Sequence, residues 1–219
     1  MEKEPLKVEK TKLILVTGGA RSGKSAFAEA YAGAAALEGR VAYIATAQAF
    51  DEEMEFRIKK HRARRPAEWQ TFEAPGEEQV LAALGEAGEN FDVILFDCLT
   101  LYLSNFLCSC REEELQDEAS LYRQVQERAD RMIEAAARMT RARALVLVTN
   151  EVGAGIVPEN RLARLYRDLA GLMNQRMGAA ADAVYLAACG QVVNLKRMGL
   201  SAQEAAVKDF GQRGRSFHV

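Results

Sequence analysis

The architecture is decided by Leu13-Ile14-Leu15-Val16-Thr17-Gly18-Gly19-Ala20-Arg21-Ser22-Gly23-Lys24-Ser25. A short apolar, β-branched run that stops at a glycine pair reads as a buried strand. The segment Gly18–Ser25 then matches the phosphate-binding pattern G-x-x-x-x-G-K-[ST]. Its glycines let the backbone turn so that successive N–H groups point at phosphate oxygens. Lys24 supplies a point charge for the β- and γ-phosphates, and the Ser25 hydroxyl is placed to hold Mg²⁺. The helix opening there adds the positive end of its dipole. A strand before and a helix after form the context the pattern requires, so the stretch reads as a nucleotide site.

Working outward, the chain alternates. Ser25–Glu38 is alanine-rich, free of proline and stopped by Gly39, which predicts a helix. Val41–Thr46 is a second buried strand. Over Asp51–Arg65, Met54, Ile58 and His61 fall at i, i+4 and i+7, and Pro66 closes a helix. Trp69–Glu73, Val93–Asp97, Ala144–Thr149, Ala183–Ala188 and Val192–Leu195 read as further strands. Ser104–Glu118 reads as a variable loop with partial helix. From Ser120 onward, Leu121, Val125, Ala129, Met132, Ala136 and Met139 recur with helical period. Pro158 precedes another helix, with the face Leu162, Leu165, Leu169, Leu172 and Met173. The tail holds glycines at 199, 211 and 214 and a capping box at Ser201/Glu204, which leaves a short helix and an unstructured end both open. Strands apolar on both faces, alternating with helices, predict an α/β fold with a mostly parallel central sheet. Ligands in such sheets sit beyond the strands' carboxyl ends, here Gly18–Ser25, Thr46–Gln48, Asp97–Thr100 and Thr149–Gly155.

Composition narrows the class. The 219 residues, 49% hydrophobic and 27% charged, suit one soluble domain. We divide them into a polar extension (1–12), a nucleotide-binding catalytic domain (13–196) and a tail (197–219). With 29 Lys+Arg against 31 Asp+Glu the net charge is −2, so no basic field points to nucleic acid or a membrane surface. The 4 cysteines, at 98, 108, 110 and 189, contain no C-x-x-C pair, which argues against a disulfide framework or structural zinc. Apolar runs such as Val93–Phe96 and Ala144–Val148 fall far short of the ~18 residues of a membrane span. Met1–Lys12 has no apolar stretch of the kind a secretory signal needs, and a cytoplasmic protein is expected.

Three further features carry chemistry. Asp97 ends a strand, where a carboxylate is the usual second Mg²⁺ contact of nucleotide enzymes or, alternatively, caps the following turn. His61-Arg62-Ala63-Arg64-Arg65-Pro66 contains one of only two histidines in the chain. Arginine forks bind phosphate bidentately and hold a neighbouring imidazole neutral, its nucleophilic form. A histidine attacking phosphorus would split one transfer into two through a phosphoramidate; His61 as a packing residue is the other reading of its helical face. Thr149-Asn150-Glu151-Val152-Gly153-Ala154-Gly155 follows a strand. Asn150 and Glu151 there either hold substrate or a metal-bound water, or cap the helix near Pro158.

Taken together and in order, Gly18–Ser25, Tyr43-Ile-Ala-Thr-Ala-Gln48, His61–Pro66, Phe96-Asp-Cys-Leu-Thr100, Val148–Gly153, Val157–Arg164 and Asn174-Gln-Arg176 resemble the bifunctional adenosylcobinamide kinase/adenosylcobinamide-phosphate guanylyltransferases of cobalamin biosynthesis. The resemblance covers about residues 13–196. It implies a three-layer P-loop (RecA-like) fold, typically assembled as a trimer. It implies phosphorylation of the aminopropanol hydroxyl of adenosylcobinamide by ATP or GTP. GTP then guanylylates a histidine, and GMP passes to adenosylcobinamide phosphate, giving adenosylcobinamide-GDP. By position, the resemblance makes His61 the nucleophile. It makes Gly18, Gly19, Ala20, Arg21, Ser22, Gly23, Lys24, Ser25, Thr46, Ala47, Gln48, Arg62, Ala63, Arg64, Arg65, Glu73 and Asp97 the nucleotide site, with Ser25 and Asp97 toward Mg²⁺. Two other classes are weighed against it: a plain small-molecule kinase without a covalent intermediate, and a nucleotide-switched assembly protein.

Overall fold

The computed structural model describes residues 10–48, 55, 56, 58, 59, 62, 63 and 65–210. The elements are β1 (Lys12–Gly18), α1 (Lys24–Ala35), β2 (Val41–Ala45), β3 (Gln70–Glu73), α2 (Glu77–Asn90), β4 (Val93–Asp97), α3 (Leu99–Ser109), α4 (Glu112–Gln116), α5 (Glu118–Arg138), β5 (Ala144–Val148), α6 (Arg161–Ala180), β6 (Ala183–Ala188), β7 (Gln191–Asn194), α7 (Leu195–Met198) and α8 (Ala202–Phe210). Between β2 and β3, Glu55, Phe56, Ile58, Lys59 and Arg62 are helical, within the span where the sequence places a helix.

The strands form one sheet in the order β3-β2-β4-β5-β1-β6-β7. All neighbouring pairs are parallel except β6–β7. Because side chains alternate along a strand, each strand feeds both faces. Leu13, Leu15, Ala42, Ile44, Ile94, Phe96, Leu145 and Leu147 pack toward α2, α3, α5 and α6. Ile14, Val16, Val41, Tyr43, Val93, Leu95, Val146 and Val148 pack toward α1. The mostly parallel three-layer α/β fold expected from the sequence is therefore present. On α5, Leu121, Val125, Ala129, Met132 and Ala136 are buried. Each large apolar side chain in that row contributes about 1.5–3 kcal/mol by leaving water.

Three local readings are corrected. Ser104–Glu118 is largely helical: α3 buries Leu99, Tyr102, Leu103, Phe106 and Leu107, a helical face that begins five residues before the segment read as a loop. Its continuation α4 carries Glu112, Glu113 and Glu114 in its first turn, favourable at a helix N-terminus. Residues 77–90, assigned no element from sequence, form α2, whose mid-helix Gly85 and Gly88 weaken the local propensity while Val80, Leu84 and Ala87 bury its inner face. The last strand spans 191–194 rather than 192–195. It returns antiparallel through Cys189 (φ 52°) and Gly190 (φ 75°), two consecutive left-handed residues of a tight hairpin.

In the tail, the Ser201 N–H donates to Glu204 Oε2 at 2.7 Å and the Glu204 N–H to Ser201 Oγ at 3.1 Å. The capping box forms, and α8 follows it. Among the described residues no helix is long and apolar enough to cross a membrane.

Candidate functional site

At the carboxyl edge of the sheet, the loop after β1 is shaped by contacts only glycine permits. A Cβ on Gly18 would lie 2.4 Å from the Ala187 carbonyl oxygen and 2.6 Å from Ser22 Oγ. Gly23 caps α1 at φ 99°, where a side chain would be strained. The Gly190 N–H donates to the Ser22 carbonyl at 3.0 Å, tying the loop to the β6–β7 hairpin. Inside the loop Lys24 is buried, and its Nζ donates to the Gly19 carbonyl at 3.1 Å. Burial lowers the Lys24 pKa, offset in part by the charges of Cys98 and Asp97. Ser22 Oγ is buried and has no partner among the described residues. A desolvated ammonium and an unpartnered hydroxyl at a helix N-terminus are the donor set that a phosphate group completes.

Asp97 ends β4, two strands away, level with Val148 of β5. It does not cap the next turn: Oδ2 accepts a hydrogen bond from the Tyr43 hydroxyl at 2.6 Å, and Cys98 is the N-cap of α3. Ala45 pairs with Asp97 and Tyr43 with Leu95, so Tyr43 and Asp97 are diagonal neighbours on the α1 face of the sheet. Burial, then the Asp97 charge, hold the Tyr43 hydroxyl well above its ordinary pKa. The Arg65 guanidinium lies over the Tyr43 ring, 3.4 Å from its centroid, and its Nη1 donates to Thr71 Oγ1 at 3.4 Å. The Arg65 Nε is buried and unpartnered among the described residues. Ser25, in the first turn of α1, and Asp97 offer hard oxygen donors. Together with the phosphate cradle they fit Mg²⁺, which takes one or two protein oxygens and completes its shell with phosphate and water.

The loop after β5 rises between these two sites, because β5 lies between β1 and β4. The Glu151 N–H donates to the Gly18 carbonyl at 3.2 Å. Glu151 Oε1 accepts from Thr17 Oγ1 at 2.9 Å and from Asn174 Nδ2 at 3.1 Å. Asn174 also donates to the Asn150 carbonyl at 3.0 Å and accepts from Thr149 Oγ1 at 2.7 Å. Asn150 Nδ2 donates to Thr100 Oγ1 at 2.9 Å. The helix after Pro158 is capped by Asn160 instead, so the capping alternative for Asn150 and Glu151 falls away.

The remaining candidates from the sequence are distributed along the same edge. Thr46 is fully buried, and its Oγ1 both donates to the Cys98 carbonyl and accepts the Cys98 N–H, each at 2.9 Å. That hydroxyl clamps the ends of β2 and β4 together. Ala47 and Gln48 follow it half-buried, and Glu73 is exposed at the end of β3. Gly19, Ala20 and Arg21 are exposed on the loop, Arg21 at φ 57°. Arg62 and Ala63 are exposed, whereas His61 and Arg64 lie outside the described residues.

The family model described as "Cobinamide kinase / cobinamide phosphate guanyltransferase" matches residues 14–195. The bifunctional adenosylcobalamin biosynthesis protein CobU of Salmonella typhimurium is 46% identical over 187 residues, covering 84% of this chain and 99% of that protein. CobU of Escherichia coli K12 is 44% identical over 188 residues, with 84% and 99% covered. The chain belongs to the cobinamide kinase / cobinamide phosphate guanyltransferase family. The bifunctional protein CobP of Pseudomonas aeruginosa is 39% identical over 182 residues, covering 83% of this chain and 96% of that protein. Solved structures similar to this family member include a KaiC-like protein of Pyrococcus horikoshii (TM-score 0.45, 15% identity, 80% of this chain and 71% of that one). The ATPase domain of a helicase is another (TM-score 0.45, 12% identity, 81% and 69%).

In this cobinamide kinase / guanyltransferase family member, three side chains hold the site together without having been given a role from sequence. Tyr43 restrains Asp97, and Asn105 Nδ2 donates to the Thr46 and Pro75 carbonyls at 2.8 and 3.0 Å. The Tyr166 hydroxyl donates to the Thr100 carbonyl at 3.2 Å, and burial raises its pKa to about 12. A hydroxyl amid the apolar run of β2 is the one local signal among them; Asn105 and Tyr166 act across the tertiary fold and leave none.

Proposed function

We propose that this chain is a bifunctional transferase of cobalamin biosynthesis that phosphorylates adenosylcobinamide and then converts the phosphate to adenosylcobinamide-GDP. The observation carrying this reading is the family match over residues 14–195, nearly the whole of the folded α/β unit. ATP or GTP enters with its phosphates in Gly18–Ser25, where Lys24 and the Ser22 hydroxyl meet them. Thr46–Gln48, Arg62–Arg65 and Glu73 border the nucleotide, and Asp97 faces it. Mg²⁺, when bound, neutralises phosphate charge and orients the transferred group. Ser25 and Asp97 hold it, and Tyr43 fixes the rotamer of Asp97.

In the second reaction His61 attacks the α-phosphorus of GTP and pyrophosphate departs. The arginines of the same segment keep the imidazole neutral and balance the phosphate charge. The phosphate of the corrinoid then displaces His61 and takes the GMP. Residues 13–196 are the catalytic domain, flanked by an extension and a tail. The working assembly is a trimer, and its compartment is the cytoplasm, where nucleotide and corrinoid meet.

The test is product analysis. Purified protein is incubated with adenosylcobinamide, GTP and Mg²⁺, and the corrinoids are separated and weighed by mass spectrometry. The reading expects a phosphorylated corrinoid followed by its GDP derivative. Phosphorylation that stops at the monophosphate would reduce the protein to a kinase, and unchanged corrinoid in a sample that binds GTP would overturn the reading.

A further inference from the structure

We propose that Glu151 is the general base of the phosphoryl-transfer step, a role resting on the kinase half of the function proposed above. Two successive carbonyls of the phosphate loop mark its place: that of Gly19 holds the Lys24 ammonium, and that of Gly18 holds the Glu151 N–H. The carboxylate therefore stands beside the residue that meets the terminal phosphates. One of its oxygens is pinned, since Thr17 Oγ1 and Asn174 Nδ2 both donate to Oε1, and Thr149 orients Asn174 in turn. Both donors are neutral, and among the described residues Glu151 enters no ion pair. Glu151 is exposed at the mouth of the loop, which leaves Oε2 open to an incoming hydroxyl.

The other carboxylate of the edge is committed elsewhere. Asp97 is bonded to Tyr43 and lies toward the metal position. Two carboxylates with different surroundings thus take two roles.

Only one of the two reactions needs such a base. An acceptor hydroxyl must lose a proton as it attacks, whereas a neutral imidazole nitrogen attacks with its own lone pair. In the step we assign, the hydroxyl proton moves to Glu151 Oε2 while the hydroxyl oxygen forms its bond to the γ-phosphorus. The bond from that phosphorus to the β–γ bridging oxygen breaks, and its electron pair leaves with the nucleoside diphosphate. Glu151 then releases the proton to water.

Glu151→Gln tests the assignment, because the amide oxygen still accepts from Thr17 and Asn174 while the basic oxygen is lost. Full-length protein is assayed in single turnover with adenosylcobinamide and γ-labelled ATP, and in parallel for self-labelling by α-labelled GTP. A positioned base contributes about 10²–10⁴-fold, so phosphorylation in Glu151→Gln should fall at least ~100-fold relative to self-labelling. Glu151→Asp, a base on a shorter arm, should recover part of that loss. A Glu151→Gln kinase rate within about 3-fold of wild type, or equal loss of both reactions, would overturn the role. Absence of both activities from the wild-type protein would instead remove the functional reading beneath it.

Discussion

Tyr43→Phe removes one hydroxyl from the centre of the site and leaves the ring in place. The lost hydrogen bond is short, 2.6 Å, from a donor only 1% exposed to a carboxylate. Hydrogen bonds to charged groups contribute about 1.5–3 kcal/mol net. Asp97 is half-buried, so water can replace the donor on the carboxylate side, and the lower end applies: about 1.5 kcal/mol. For a chain of this size that corresponds to a Tm lower by roughly 3–6 °C. Phenylalanine keeps a π face beneath Arg65, whose guanidinium sits 3.4 Å from the ring centroid, so the seat of the 62–65 segment survives. With the Asp97 rotamer released, the Mg²⁺ concentration giving half-maximal self-labelling by GTP should rise. Urea unfolding and an Mg²⁺ titration of the variant give the two readouts. A stability change below about 0.5 kcal/mol together with an unaltered Mg²⁺ requirement would refute Tyr43 as the restraint on Asp97.

The site's other strains are equally open to measurement. Lys24 has its pKa lowered by burial, so the folded state carries a penalty for the charged form that is complete below the lowered value and disappears above the unfolded value of 10.5. Lys24→Met should therefore unfold at higher urea than wild type at pH 7 without ligand while losing nucleotide binding, and the stability gap should narrow toward pH 10; a gap that does not change with pH would contradict this. At the opposite edge of the sheet, the buried Asp92 accepts the Glu38 N–H at 2.9 Å and bridges to Arg141 at 3.3 Å. Asp92→Ala leaves those donors unpaired and should cost about 1–3 kcal/mol in urea unfolding, with GTP self-labelling per folded molecule unchanged.

How much was legible in the sequence depends on how local each signal is. The β1–loop–α1 unit was readable because the glycine spacing, the lysine and the flanking periodicities all lie within some twenty residues. Asp97 was readable because it closes an unbroken apolar strand. The helical face of α3 escaped because Leu99, Tyr102 and Leu103 precede the acidic stretch that dominated its reading. The direction of β7 escaped because its turn places Cys189, a residue that rarely adopts a left-handed conformation, at φ 52°. The restraint of Asp97 by Tyr43 arises from the β2–β4 register, which joins residues 54 positions apart. The same holds for Asn174, whose bonds to Thr149 and Glu151 require α6 to pack over the end of β5. Spacing along the chain carries no trace of such pairings.

That one phosphate loop serves both a kinase and a guanylyltransferase, with His61 as the covalent carrier, is tested most directly by self-labelling. The protein is incubated with Mg²⁺ and GTP labelled at either the α- or the γ-phosphate, without corrinoid, and then denatured. The α-label alone should stay on the protein, through a bond that survives alkali and breaks in acid as a phosphoramidate does, and His61→Ala should abolish it. A protein that binds GTP but retains no α-label, or a His61→Ala variant that still retains it, would contradict that division of labour.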